Sequence, residues 1–107
     1  MKNKTIRAII KLPGEEAQPV IIENTLQAFQ NAVGGYIETV TITGDLVVIC
    51  DEDGRLKELP YNCTVCGYHF VGPILVVRAK QSSFADAPIG AAEFTRLFID
   101  KEGGERE

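Results

Sequence analysis

Cys63-Thr64-Val65-Cys66-Gly67 is the segment whose residue types and spacing come closest to chemistry. A CxxC followed by Gly is the shape of a metal knuckle, in which a turn aims both sulfurs at one point. His69 and Cys50 would complete four ligands for zinc. A structural zinc site normally carries a second comparable pair, whereas these partners are a mid-strand Cys and a lone His. A redox dithiol would need a thioredoxin-like βαβ context, which the flanking pattern lacks. The segment therefore reads as a loop with two reduced thiols, with neither metal nor cofactor expected. Cys50 reads as a buried strand residue.

Other groupings fall short in specific ways. Asp51-Glu52-Asp53-Gly54 lacks the alternating ligands and the distant Glu of an EF-hand loop, so it reads as a solvated turn. Gly34-Gly35 precedes a strand and has no following Lys and Ser/Thr, so it is no phosphate loop. A Cys–His enzyme would have to use Cys66 and His69, and an acid–base pair would have to use Glu38 with Asp51 or Glu52. No convergent set surrounds either pair. The expectation is a non-catalytic protein.

What remains is binding. Tyr36 follows two residues without side chains, Gly34 and Gly35, which would let a ligand or a partner backbone approach closely. Asn24, Thr25, Glu38 and Asn62 are candidate orienting groups, and Arg55 and Lys57 could meet an anion. The alternative for each is structural: Asn24 as helix cap, Gly34 as helix stop, and Tyr36 as a strand residue with its ring on the core.

The elements that must position these groups are legible from periodicity. Thr5 to Leu12 alternates as a half-buried strand, Pro13 to Glu16 is a turn, and Gln18 to Glu23 closes a hairpin. Asn24 caps a helix over Thr25–Val33, with Gln27 reaching back and Leu26, Phe29 and Val33 on its apolar face. Tyr36–Thr43 and Leu46–Cys50 are strands joined by Gly44-Asp45, the second apolar on both faces. Arg55 to Tyr68 reads as irregular. Phe70–Ala79 is a strand kinked at Gly72-Pro73, and Pro88–Asp100 is a C-terminal helix. The fold class is α+β: one domain over residues 1–100, a mainly antiparallel sheet of about five strands with a central and a C-terminal helix. The tail at 101–107 reads as disordered.

At 107 residues, 45% hydrophobic and 24% charged, the chain fits one ordinary globular domain. Its net charge of −4 argues against nucleic acid as a partner. A basic patch at Lys2, Lys4, Arg7 and Lys11 is diluted by Glu15, Glu16 and Glu23. No apolar run reaches the length of a membrane span, and the N-terminus reads as a strand and not a signal peptide, so a cytoplasmic protein is expected. Two helices cannot easily cover both faces of such apolar strands, so a homo-oligomer is expected as well.

NTLQ, VGGYIE, CDEDGRLKELPYN and VGPILVV, taken in order, resemble a family of small domains of unknown function common in phages, prophages and other mobile elements. The likeness runs from about Thr5 to Ala79. It departs from that pattern at CTVCGYH, where a short polar insert is usual. The resemblance implies a mobile-element protein in a bacterial cytoplasm and implies no reaction. In that context the expected function is capture of a small anionic nucleotide-type host signal at Gly34, Gly35, Tyr36, Glu38, Arg55, Lys57 and Asn62. The alternative is an inhibitor or adaptor that docks on a host protein through an exposed strand edge.

Overall fold

The computed structural model describes residues 4–101. Lys2 of the basic patch and residues 102–107 of the expected tail lie outside the described residues.

Six strands form one sheet. β1 (Thr5–Lys11) pairs with β2 (Gln18–Glu23) on one side and β7 (Ile74–Lys80) on the other. β7 continues to β4 (Leu46–Asp51), and β4 to β3 (Ile37–Thr43). The order is β2-β1-β7-β4-β3, every pair antiparallel, with the short β8 (Ser83–Ala85) added to β7.

The period-two alternation of strands splits the core into two layers. Ile6, Ala8, Val47, Ile49, Leu75 and Val77 face one side, where α1 (Leu26–Val33) lays down Phe29 and Val33. Ile9, Leu46, Val48, Cys50, Ile74 and Val76 face the other. There they meet Cys63, Val65 and Phe70 from a second two-stranded sheet, β5 (Tyr61–Val65) and β6 (Tyr68–Val71), and Phe94 from α2 (Ala91–Phe98).

The β5–β6 hairpin corrects the expectation of an irregular stretch from Arg55 to Tyr68. Its turn places Cys66 at φ 48° and Gly67 at φ 88°, the two positive values that match a tight hairpin turn to strand twist. The expected strand Phe70–Ala79 is two strands in two different sheets. Gly72, at φ 72°, makes the break, and a side chain there would also strike Leu59 at 2.6 Å. With the hairpin and α2 on one face and α1 on the other, the central strands are covered within one chain. The need for a second copy to cover them, which underlay the homo-oligomer expectation, does not arise.

Helix α1 differs from expectation in its cap. Thr25, not Asn24, is the N-cap, its Oγ1 accepting from Ala28 N at 3.1 Å. Asn24 instead donates its amide to Phe84 O across the sheet edge, and Gln27 bonds Asn31. Leu26 stays 57% exposed, so the buried face is Phe29 and Val33 alone.

Candidate functional site

Helix α1 ends where the sequence pattern stops it. Gly34 takes φ 90°, and the N–H groups of Gly34 and Gly35 both donate to Gln30 O, at 2.8 and 3.2 Å. That leaves carbonyls, the negative end of the helix dipole, at the surface. Lys57 answers them: its Nζ donates to Gly34 O at 3.2 Å and to Asp51 Oδ2 at 2.7 Å. Asp51 Oδ1 accepts in turn from Asp53 N at 2.8 Å. Burial works to raise the Asp51 carboxyl, but the Lys57 and Asp53 hydrogen bonds and the ammonium charge outweigh it. The net effect holds Asp51 below the ordinary carboxylate value.

Gln30, Asn31, Gly34, Gly35, Tyr36, Asp53 and Lys57 surround a cleft of about 530 Å³. The Tyr36 ring stands 69% exposed at its side, so the core-facing alternative for this residue is excluded. The cleft is poorly suited to an anion by its backbone. Helix capping engages the N–H groups of both Gly34 and Gly35, and the Lys57 ammonium is already paired with Asp51.

Glu38 and Arg55 lie in a different cleft, of about 270 Å³, between β3, the end of β4 and β6. Arg55 Nη2 donates to His69 O at 2.6 Å, which closes part of the β6 edge. Cys50 lies at its base, where burial, then Glu38 and Asp51, push the thiol up to about 11 against the opposing Arg55. Asn62 belongs to neither cleft. It is buried, donates to Lys11 O and Gly72 O, and accepts from Lys11 Nζ, so it ties β1 to the second hairpin. The seven candidates thus fall into a group of four, a pair and an internal strut.

The CxxC segment does not form a knuckle. Cys63 is a strand residue buried in the core, whereas Cys66 is exposed at the hairpin turn. Among the described residues no group of three or more His, Cys, Asp and Glu is placed to hold a metal ion. His69 instead sits across the strand pair from Thr64, its Nδ1 2.8 Å from Thr64 Oγ1, which is 2.5 Å from Tyr61 Oη. This Tyr–Thr–His chain is exposed and carried no sequence signal, because only the β5–β6 register creates it.

The free edge of β3 is the other feature that geometry adds. Glu52 N donates to Tyr36 O at 2.8 Å, which makes residues 36 and 52 a hydrogen-bonded pair. The register continues as Glu38↔Cys50 and Val40↔Val48. In an antiparallel ladder such pairs alternate, so Ile37, Thr39 and Thr41 aim their N–H and C=O groups outward. No strand pairs with that side among the described residues.

Among the described residues no helix is long and apolar enough to cross a membrane. Neither a curated protein nor a solved structure matches the chain. A family model does, over residues 6–99, which spans every element from β1 to α2. The chain therefore belongs to the DUF3846 family, a domain of unknown function.

Proposed function

We propose that this protein is a non-catalytic accessory module of a phage or mobile element that docks on a host protein in the bacterial cytoplasm. It takes an extended segment of its partner as an added strand on β3. The observation that carries this reading is the outward row of backbone groups at Ile37, Thr39 and Thr41, on a terminal strand without proline. The opposite terminal strand, β2, is interrupted by Pro19 and is a poorer template. Exposed Glu38 and Glu52 beside the β3 edge favour a basic segment. The mobile-element context comes from the resemblance of NTLQ, VGGYIE and their neighbours.

A second reading, capture of a small anionic nucleotide-type ligand, is favoured by one observation. Tyr36 offers an exposed ring beside Lys57 in the cleft of about 530 Å³. The engaged Gly34 and Gly35 N–H groups weigh against it.

Retention from bacterial lysate, run beside calorimetry with adenine-containing and cyclic nucleotides, tests both. Docking on β3 gives a retained host protein that is lost with Thr39→Pro and weakened with Glu38→Lys, with no nucleotide heat. Nucleotide binding abolished by Tyr36→Ala, with lysate retention indifferent to Thr39→Pro, overturns it in favour of capture.

A further inference from the structure

We propose a second docking surface: the groove between α2 and the β1–β2 turn, occupied by a basic amphipathic helix of a partner protein. The groove measures about 1040 Å³, roughly twice the cleft beside Tyr36. Its apolar part comes from Ala17 and Pro19 on one wall and Ala91, Ala92 and Ile99 on the other. Ala91 and Ala92 carry only a methyl group each, so an incoming helix can approach α2 closely.

Charge decides what kind of helix fits. Glu15 and Glu16 on the turn and Glu93 in the first turn of α2 are exposed and line the groove. None of the three forms an ion pair among the described residues, where the pairs are Lys57–Asp51 and Arg78–Asp45. Lys11, the one cationic residue of the lining, turns its ammonium to Asn62 Oδ1 at 2.9 Å. Apolar walls that share the groove with three unpaired carboxylates are complementary to a helix with one apolar face and flanking Lys or Arg. An acidic or uniformly apolar helix would leave those carboxylates facing a like charge or no partner.

The position gives the surface a use. β2 and β3 are the two ends of the main sheet's strand order, and the groove includes Gln18 and Pro19 of β2. The groove and the β3 edge can be occupied together, as in a bridge between two proteins. The groove does not depend on the β3 reading.

The test uses the full chain and a fluorescent synthetic amphipathic helix about four turns long, Leu on one face and Lys flanking it, with a Glu-flanked counterpart as control. Polarisation should report binding of the Lys helix alone. The triple variant Glu15→Lys/Glu16→Lys/Glu93→Lys should weaken it by about tenfold or more. Ala92→Trp, which fills the groove without changing charge, should do the same. Glu38→Lys/Glu52→Lys and Thr39→Pro should leave it unchanged, and circular dichroism should show each variant folded. Equal binding by the Ala92→Trp protein, or a loss as large on Glu38→Lys/Glu52→Lys, means that the peptide senses net charge only, and the proposal fails. It fails also if no Lys helix binds, or if light scattering shows self-association that Ala92→Trp abolishes, because the occupant is then a second copy.

Discussion

Lys57 places its ammonium 2.7 Å from the Asp51 carboxylate directly over Gly35, at the only kind of residue that leaves room for it. A Cβ at position 35 would lie 2.7 Å from Lys57 Nζ and 2.9 Å from Asp51 Oδ2. Three segments are thereby fixed by one contact: the end of α1, the end of β4 and the turn that follows it. The Asp51 side chain is 1% exposed and the Lys57 side chain 42%. The carboxylate thus needs its partner more than the ammonium does.

Gly35→Ala should destabilise the fold by about 1–3 kcal/mol, because the added methyl must push the pair apart. The Asp51→Asn change should couple to it, since both act on the same contact. Urea denaturation of the two single variants and the double variant measures this. Strict additivity would show that the methyl is accommodated without disturbing the pair.

Asp51 also predicts acid sensitivity. Its native pKa lies below the ordinary 3.8, so its stabilising contribution is complete above that value. The contribution is lost as pH falls through the depressed native value, when Asp51 of the folded protein must take up a proton. Urea midpoints taken from neutral pH down to about pH 2 should fall more steeply for wild type than for Asp51→Asn. Parallel curves would remove Asp51 from the acid transition.

Much of this arrangement was legible in the chain, and what was missed has a common cause. The alternation from Thr5, the helix stop at Gly34 and the doubly apolar Leu46–Cys50 are local patterns, and each sits where it was expected. The β5–β6 hairpin escaped because Pro60 and Asn62 imitate a loop and a register shift between Tyr61 and Cys63 breaks the alternation. Its turn is Cys-Gly, not the usual Asn-Gly or Asp-Gly. The Asn62 strut joins residues 51 positions apart, and no spacing rule can announce such a bond. Lys57 as a cation for an anion and Gly34 as a point of close approach are expectations from residue type alone. What sequence could not supply was that each already answers the other.

The thiols should separate by reactivity. Cys66 is exposed at its turn, whereas Cys63 is buried and Cys50 is both buried and pushed up to about 11. The thiolate is the reactive form, so near neutral pH Cys66 alone should label rapidly with a disulfide reagent. Cys50 and Cys63 should label only after denaturation. Rapid labelling of Cys50 in the folded protein would show that the cleft beside Glu38 and Arg55 opens to solvent.

Phe29 is the anchor of α1, buried and in edge-on contact with Phe84 at 5.4 Å. Phe29→Ala should cost about 3–5 kcal/mol, the usual range for emptying a buried aromatic site. Leu26→Ala on the same helix should cost far less, because that side chain is 57% exposed. Melting temperatures of the two variants compare the sites directly, and a reversed order would mean that the helix packs through its other face.

The parity of β3 can be tested by proline alone. Val40 faces Val48 in the hydrogen-bonded phase of the ladder, so its N–H is engaged with β4. Thr39 is one residue out of phase, with its N–H outward. Proline is tolerated on an edge strand only where the missing N–H faced solvent. Val40→Pro should therefore destabilise by about 1–3 kcal/mol or more through an unpaired carbonyl opposite, while Thr39→Pro should melt close to wild type. Amide exchange gives the same parity without mutation: Ile37, Thr39 and Thr41 should exchange faster than Glu38 and Val40. Adding a docked strand should slow the first three and leave the other two as they were. Equal exchange along β3 would mean that its outer edge is already covered, and with it the template for strand addition would be lost.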